Sequence, residues 1–378
     1  MTALEDIIRA EIAAAGPMRF DRFMELALYH PGLGYYAKTE GPAPIGRSGD
    51  FYTSVSAGPL FGRLLARQFF QMWQRLGEPE KFWIVEQGAH DGQFACDVFE
   101  WCRAEAPRFF ETIRYGIVQA AGAARIKQRC APEPDFLSRI TWFEDLDALA
   151  AAKPVGVFFS NELVDAFPVR SVTLHSGEWL EQHVGIKAGE LDWVDLPIRD
   201  AELNRAIAAQ ELPAIEGYTT EFNLRARGWI GEVARAMERG YVVTIDYGYP
   251  AELYYAPHRT SGSLTAHVKH HAVNDVLAEP GMRDLTAHVD FTALARGGEE
   301  AGLATLGFLD QQHFLMGIAH DELSGADERR VGILQNLGAW NTLTHPHHLG
   351  VSFHALVQGK DAPAELDGLR FARAGGLF

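Results

Sequence analysis

The segment from residue 82 to residue 92 reads FWIVEQGAHDG and has the pattern of a strand that runs into a turn and a helix. Its first four residues are apolar, as in a short buried strand, and Glu86 follows them. Gly88 and Gly92 then allow positive φ angles and a close approach of the backbone to a ligand. A helical pattern continues from 93 to 105. The segment therefore predicts a ligand-binding turn at the end of a strand.

Four further short apolar strands alternate with helical segments along the chain. They cover residues 115–118, 140–143, 155–159 and 241–245. This alternation predicts an α/β fold with a parallel, doubly wound, Rossmann-like sheet. In such sheets ligands bind outside the carboxyl ends of the strands. The ends of these strands are therefore the expected positions of functional residues.

Changes of pattern divide the chain into three expected regions. They are a helical N-terminal region at 1–80, a sheet core at 81–170 and 240–378, and an insertion at 171–239. Glycine and proline predict a loop at 31–49 within the first region. In the insertion, alternating apolar and polar residues at 171–196 predict β hairpins, and a helix is expected at 229–237.

Composition and charge argue against several classes of protein. The 378 residues are 47% hydrophobic and 22% charged, a globular composition that excludes wholesale disorder. No uninterrupted apolar stretch reaches membrane-spanning length. The net charge of −16 argues against a dedicated nucleic-acid binder, which needs clustered Lys and Arg. Three cysteines without a CxxC pair, and no visible targeting segment, favour a reducing, bacterial-type cytoplasm.

The glycine turn does not have the fingerprint of a dinucleotide site. That fingerprint is Gly-x-Gly-x-x-Gly, and His90 stands at its middle glycine. A nucleotide-dependent oxidoreductase is therefore disfavoured. An acid followed by spaced glycines is instead similar to the donor loop of class I S-adenosylmethionine (SAM) methyltransferases. The alternative is a strand, a turn and a helix whose glycines serve packing alone.

Two further strand ends carry side chains that suit a bound nucleoside. Class I methyltransferases usually have an acid after the second strand, which accepts hydrogen bonds from the ribose hydroxyls. Gln119 stands at that point here, and its side-chain carbonyl is also an acceptor. Asp145 follows the third strand, where an acid could take the adenine amino group. Gln119 and Asp145 are therefore expected to bind the cofactor.

The fourth strand runs into residues 160–168, which read SNELVDAFP. If Glu162 and Asp165 lie on a helical turn, their spacing puts both carboxylates on one face. Two carboxylates can hold a guanidinium through parallel hydrogen bonds. The segment therefore predicts a clamp for an arginine side chain. In the alternative, Ser160 or Asn161 caps a helix and Glu162 faces solvent.

Blocks along nearly the whole chain resemble the MidA-type family of SAM-dependent methyltransferases, which is related to a mitochondrial complex I assembly factor that methylates an arginine. The blocks include 27–31 (ALYHP), 34–36 (GYY), 49–54 (GDFYTS), 161–168 (NELVDAFP), 245–249 (IDYGY), 262–264 (GSL) and 280–291 (PGMRDLTAHVDF). Several blocks in one order are more specific than any single block.

The resemblance implies a class I methyltransferase that uses SAM. It implies that the substrate is an arginine of a protein, as in a respiratory complex I-type subunit, and it is compatible with a homodimer. It also implies that the loop at 49–54 closes over the cofactor. The expected catalytic residues are Asn161, Glu162 and Asp165. The expected cofactor-binding residues are Gly49, Asp50, Phe51, Thr53, Ser54, Glu86, Gly88, Gly92, Gln119, Asp145 and Asn161. The expected substrate-binding residues are Glu162, Asp165, His270 and His288.

The chain departs from the family pattern at three positions. His90 replaces a glycine of the turn, Gln119 replaces a glutamate, and His267 replaces an aromatic residue. A second hypothesis is therefore an assembly chaperone that keeps the fold with little or no catalysis. His267, His270 and His271 suggest metal ligands, but no HExxH or CxxC frame accompanies them, so no metal is expected.

Overall fold

The computed structural model describes residues 2–37, 54–118, 123–268, 271–273, 275–325, 330–372 and 377. The helices are α1 (Ala3–Ala15), α2 (Phe20–Tyr29), α3 (Leu60–Arg75), α4 (Gln93–Glu105), α5 (Pro107–Thr112), α6 (Ala123–Cys130), α7 (Pro134–Arg139), α8 (Leu146–Ala151), α9 (Ala201–Ala208), α10 (Leu224–Ala236), α11 (Ala251–Tyr254), α12 (Phe291–Glu300), α13 (Gln311–Ser324) and α14 (Leu337–Thr344). The strands are β1 (Met18–Arg19), β2 (Phe82–Gln87), β3 (Ile113–Val118), β4 (Ile140–Phe143), β5 (Val155–Asn161), β6 (Arg170–His175), β7 (Glu178–Lys187), β8 (Glu190–Pro197), β9 (Thr219–Phe222), β10 (Arg239–Tyr249), β11 (Thr265–Val268), β12 (His271–Val273), β13 (Asp284–Thr286), β14 (Val289–Asp290), β15 (Ala304–Asp310) and β16 (Phe353–Lys360).

The central sheet has the strand order β15-β16-β10-β5-β2-β3-β4. Its strands β2, β3, β4, β5 and β10 are parallel and are the five strands expected from the sequence, which confirms that prediction. β16 runs antiparallel between β10 and β15. Neighbouring residues such as Ile84 and Val85 belong to two different buried clusters, one on each face of the sheet. Burial on both faces explains why these strands are continuous apolar runs.

The chain changes direction across the sheet at β2. It adds β3 and β4 on one side of β2 and then places β5 on the other side. The connections therefore leave the carboxyl ends of β2 and β5 in opposite directions, which opens a crevice between these strands. The two strand ends are level, because Glu86 pairs with Phe159 and Gln87 with Ser160. A ligand site is expected at this point of the sheet.

The inserted segment forms the hairpins that the sequence predicts. β6, β7 and β8 pair antiparallel in succession, and β9 pairs with β6. Positive φ at Ser176 and Gly177, and at Ala188 and Gly189, is the geometry of type I′ hairpin turns. β1 of the N-terminal region joins this second sheet by pairing with β7. The insertion and the N-terminal region therefore share one sheet.

The helix expected at 229–237 begins earlier, at Leu224. The cause is a cap that the pattern did not reveal: the Asn223 side chain accepts a hydrogen bond from the Ala226 amide at 2.9 Å. Within the described ranges, no helix is both long enough and apolar enough to cross a bilayer.

Residues 284–290 return to the carboxyl end of β10. β14 pairs with β10 in parallel, with Gly248 opposite Val289. A Cβ atom at Gly248 would lie 2.1 Å from the Val289 carbonyl oxygen, so only glycine fits this approach. The Ala287 amide also donates to the Asp165 carbonyl at 2.9 Å. These contacts place β13 and β14 beside the turn that follows β5.

Candidate active site

A cavity of about 520 Å³ opens at the carboxyl ends of β2 and β5. Its volume is in the ordinary range of small-molecule sites. The walls come from the segment before α3, the glycine turn, the start of α4, the end of β5 and one side chain of α6. The lining residues are Val55, Ser56, Gly58, Pro59, Glu86, Gly88, Ala89, His90, Asp91, Gln93, Phe94, Arg129, Asn161 and Glu162. The cavity thus occupies the crevice that the strand order predicts.

The glycine turn needs its two glycines for different reasons. Gly88 lines the cavity and has a φ of +87°, which favours glycine, and a Cβ there would lie in van der Waals contact with Leu163 Cδ1 at 3.4 Å. Gly92 has a φ of +81°, and a Cβ there would lie only 2.8 Å from Ile126 Cγ2. His90 lies between them at a φ of +45°, a backbone region that suits glycine better. The turn therefore serves both the cavity and the packing of α4 against α6.

Glu86 places a buried carboxyl in the wall of the cavity. Its Oε2 accepts a hydrogen bond of 2.6 Å from the Tyr115 hydroxyl. Burial raises the pKa of Glu86 to about 7, although the hydrogen bond from Tyr115 acts to lower it. The nearby negative charge of Asp91 adds to the rise. A cation bound in the cavity would favour the charged form. Glu86 is therefore suited to a positively charged ligand.

Arg129 from α6 ties the glycine turn together, and the sequence did not indicate it. Its guanidinium donates to the Asp91 carboxylate, to the Asp91 carbonyl at 3.2 Å and to the Gln93 side chain. Burial would raise the pKa of Asp91, but the nearby His90 ring, the hydrogen bond from the Gln93 amide and the charge of Arg129 bring it below its ordinary value. Asp91 is thus an ionised partner of Arg129, which fixes the position of α6 beside the cavity.

The segment after β5 is an irregular turn rather than the helical turn on which the clamp geometry was based. Glu162 has a φ of +52°, and its amide donates to the Ile245 carbonyl at 3.0 Å. Its Oε1 accepts from Asn161 Nδ2 at 2.8 Å and from the Ser54 amide at 3.2 Å. Burial raises the pKa of Glu162 to about 8. Asn161 and Glu162 line the cavity, as expected, and neither caps a helix.

Asp246, at the end of β10, holds this turn in place. Its Oδ2 accepts from the amides of residues 163, 164 and 165 at 3.2, 2.9 and 3.3 Å. Its Oδ1 accepts from the Tyr247 amide at 2.8 Å. The side chain is completely buried, and burial raises its pKa to about 7. Three converging amides replace the i→i−4 bonds of a helix, which is why the spacing argument for Glu162 and Asp165 was wrong about local structure.

Asp165 lies behind Glu162 in a buried cluster of carboxyl groups. It does not line the cavity, and it is only 5% exposed. Its Oδ1 has no hydrogen-bond partner among the described residues. Burial, and then the charges of Asp246, Asp284 and Glu162, raise the pKa of Asp165 well above its ordinary value. Within the described part of the chain, this buried oxygen atom therefore has no hydrogen-bond donor.

Asp284 from β13 completes the cluster, and it was not singled out from the sequence. Both of its carboxylate oxygens accept from the Tyr36 hydroxyl, at 2.8 and 2.9 Å. The Tyr29 hydroxyl donates to the Ala166 carbonyl nearby, at 2.9 Å. Tyr29 and Tyr36 pack with ring centroids 5.6 Å apart. The N-terminal region therefore provides one wall around the acidic cluster.

Two other residues expected in the site, Asp145 and His288, make contacts outside the cavity. Asp145 is exposed and caps α8, where its side chain accepts from the Ala148 amide at 2.7 Å, and it does not line the cavity. His288 accepts a hydrogen bond of 2.8 Å from Arg259. Burial and then the charge of Arg259 lower the pKa of His288 to about 4, so it is neutral near pH 7. His288 does not line the cavity either.

The remaining expected residues fall into two groups. Ser54 is buried, and its hydroxyl donates to Gln311 Oε1 at 3.0 Å while its amide faces Glu162. Gly49, Asp50, Phe51, Thr53, Gln119 and His270 lie outside the described residues. Within the described part of the chain, no three His, Cys, Asp or Glu side chains are grouped as metal ligands.

Known proteins resemble this chain over most of its length. Residues 64–309 match the family described as "Putative S-adenosyl-L-methionine-dependent methyltransferase". A crystal structure of a protein from Burkholderia thailandensis, bound to S-adenosyl-homocysteine, is 31% identical with a TM-score of 0.85, over 99% of this chain and 96% of that chain.

Curated relatives are more distant in sequence. The mitochondrial protein arginine methyltransferase NDUFAF7 homolog of Drosophila melanogaster is 25% identical, over 93% of this chain and 83% of the relative. The mitochondrial protein arginine methyltransferase NDUFAF7 of Homo sapiens is 26% identical, over 91% of this chain and 80% of the relative.

Proposed function

Because the chain belongs to this family of S-adenosyl-L-methionine-dependent methyltransferases, we propose that it methylates an arginine side chain of a protein, with Glu162 and Asp165 as the residues that bind the guanidinium. The family membership confirms the methyltransferase fold and the SAM cofactor expected from the sequence. The buried, unpartnered Oδ1 of Asp165 is the observation that carries the choice of acceptor. The names of the curated relatives support the same choice.

The cavity suits the cofactor in size and charge. When bound, SAM supplies an electrophilic methyl group on a sulfonium. Gly88 leaves backbone space at the cavity wall, and Glu86 offers a buried carboxyl to a cationic ligand. Asn161 lines the same wall with a buried Oδ1 that has no partner among the described residues. We therefore assign cofactor binding to Glu86, Gly88 and Asn161, which line the cavity, whereas Gly92 packs against Ile126. The loop at 49–54 is assigned to the cofactor from the family resemblance alone.

The acidic cluster suits a guanidinium. Glu162 faces the cavity and Asp165 lies behind it, and no ion pair joins either of them to a Lys or Arg in the described part of the chain. A buried carboxylate without a partner is costly, and a bidentate pair with Arg offsets that cost. A guanidinium that enters past Glu162 toward Asp165 would lower the pKa of both groups and ionise them. The cluster thus prefers a cationic acceptor to a neutral one.

The residues of the chain act by holding the acceptor. Glu162 and Asp165 fix two nitrogens of the guanidinium and leave the third directed toward the cofactor cavity. Because arginine is protonated near neutral pH, the nitrogen that gains the methyl group must lose one proton, and Glu162 or Asp165, ionised by the bound guanidinium, is the group that accepts it. Correct placement of the acceptor supplies most of the rate enhancement in such a reaction. Asp246 keeps both carboxyl groups in position by fixing the turn that bears them.

Two variants separate cofactor binding from acceptor binding. Asp165→Asn should lower kcat/KM for arginine peptides by about 10- to 100-fold, as for the loss of one hydrogen bond to a charged group, with S-adenosylhomocysteine binding retained. Gly88→Val should abolish S-adenosylhomocysteine binding, because its side chain fills the cavity wall. Calorimetry measures binding, and mass spectrometry measures transfer to arginine peptides and to matched lysine peptides. Full activity of Asp165→Asn, or transfer to lysine alone, would contradict the proposal.

The substrate and location are part of the same proposal. The family resemblance supports a respiratory complex I-type subunit with an exposed arginine as the substrate, and the three cysteines without a CxxC pair support a reducing, bacterial-type cytoplasm as the location. Mass spectrometry of that subunit from cells with and without the gene tests the substrate, and fractionation of the same cells tests the location. Identical methylation in the two strains would exclude this substrate.

A further inference from the structure

Two cysteine side chains meet beside the cofactor cavity. Cys96 on α4 and Cys130 on α6 have their sulfur atoms 3.1 Å apart. A disulfide bond requires about 2.05 Å, so the two sulfurs need to approach by only about 1 Å. The third cysteine, Cys102, lies completely buried in the apolar core. Among the three cysteines, Cys96 and Cys130 are therefore the two that are placed to form a disulfide bond.

The surroundings of the pair favour oxidation of the sulfurs. One thiol donates a hydrogen bond to the other, and this bond and the charge of Arg129 lower the pKa of Cys130, while burial opposes the shift. The thiolate is the reactive form of cysteine. Cys96 is only half-buried, which gives a small oxidant access to the pair. By contrast, burial raises the pKa of Cys102 and keeps that thiol inert.

The two helices that carry the pair also form the wall of the cavity. Arg129, next to Cys130, binds Asp91 and Gln93, and all three line the cavity. Gly92, which precedes α4, already lies so close to Ile126 of α6 that no Cβ fits between them. A disulfide bond would draw α6 toward α4. Because the packing between Gly92 and Ile126 is already tight, this movement would displace the glycine turn.

We propose that Cys96 and Cys130 are a site of reversible oxidation, and that the disulfide they form lowers the affinity of the adjacent cavity for the cofactor. Hydrogen peroxide is the oxidant. The ionised sulfur attacks one peroxide oxygen and hydroxide leaves, which gives a sulfenic acid; the second sulfur attacks that sulfur and water leaves. Two thiols and one peroxide thus become one disulfide and two waters, and a dithiol reductant reverses the change. The proposed effect concerns only the affinity for the cofactor, so it does not depend on which acceptor is methylated.

The test compares the full-length protein before and after a brief peroxide treatment. Peptide mapping should show Cys96 linked to Cys130. The dissociation constant of S-adenosylhomocysteine should rise about tenfold, within the range of typical coupling between sites. Dithiothreitol should restore the original value. Cys102→Ala is the matched control and should behave like the wild type, whereas Cys96→Ser should neither form the link nor lose affinity.

Three results would overturn the proposal. The first is absence of the linked peptide from the treated wild type, which needs no variant to fold. The second is a linked protein whose affinity for S-adenosylhomocysteine is unchanged. The third is an equal loss of affinity in Cys96→Ser, or in Cys130→Ser if Cys96→Ser does not fold, since the loss would then come from oxidation elsewhere. Failure of arginine methylation would affect none of these measurements.

Discussion

Replacing Glu86 by glutamine should stabilise the unliganded protein at alkaline pH. Burial raises the pKa of Glu86 from 4.5 to about 7, so the folded protein holds this proton more tightly than the unfolded chain does. A group of this kind stabilises the fold most below pH 4.5, and its contribution is lost as the pH rises toward 7. Glutamine cannot ionise, and its carbonyl can still accept the hydrogen bond from Tyr115.

The size of the effect follows from the two pKa values. A difference of about 2.5 between them corresponds to roughly 3 kcal/mol at full ionisation, at about 1.4 kcal/mol for each tenfold change. At pH 5 most of that cost is absent, because the folded carboxyl group is still protonated. The stability advantage of Glu86→Gln over the wild type should therefore grow by about 2–3 kcal/mol between pH 5 and pH 8.5. Other carboxyl groups, such as Glu162, titrate in both proteins and cancel in the difference.

Urea denaturation of both proteins at several pH values measures this difference. The matched control is Glu133→Gln, because the Glu133 side chain is 44% exposed and a hydrogen bond from Arg103 lowers its pKa. That variant should gain no stability as the pH rises. S-adenosylhomocysteine affinity, measured at pH 8, should fall in Glu86→Gln if the carboxylate binds the cationic part of the ligand. A pH-independent difference between Glu86→Gln and the wild type would refute the reasoning, since Glu86 would then ionise equally in the folded and unfolded states.

Asp246→Asn should reduce methyl transfer about tenfold or more through displacement of the acceptor carboxylates, with S-adenosylhomocysteine affinity changed less. Glu322→Gln is the matched control, because Glu322 likewise accepts from three amides, those of residues 331–333, but this segment is not part of the cavity wall. A similar loss of transfer in both variants, measured by initial rates, would mean that general destabilisation is the cause. His90→Gly should be about 1 kcal/mol more stable in urea than His90→Ala, because only glycine relieves the φ of +45°. Equal stability of these two variants would show that the backbone is not strained there.

The sequence was informative where local pattern and topology agree. The apolar runs predicted the five parallel strands, and spaced glycines predicted the turn at Gly88 and Gly92. The positions of Asn161 and Glu162 followed from the rule that ligands bind at the carboxyl ends of strands. These features depend on contacts within one strand–turn–helix unit. The residues that make such contacts are close together in the sequence, so a local pattern can reveal them.

Features that depend on distant contacts were not predictable in the same way. Asp284 and Tyr36 join the acidic cluster through β13 and the N-terminal region, and no spacing rule connects those segments with β5. Arg129 reaches the turn from α6, outside the motif. Asp145 had the expected chemistry at a strand end, but the start of α8 uses it as a cap. In each case the tertiary contact, which a pattern does not contain, decided the role.

Carboxyl groups whose pKa is raised by burial occur at two places on the same edge of the sheet. Glu86 stands at the end of β2, and Glu162 and Asp165 follow β5, and at both places burial raises the pKa of the carboxyl groups. In the free protein these groups lower stability when they ionise, and a bound cation offsets that effect. Both ligands of the proposed reaction, a sulfonium and a guanidinium, are cations. Stabilisation of the protein by its ligands should therefore grow with pH, because binding then recovers an ionisation cost that is absent at low pH.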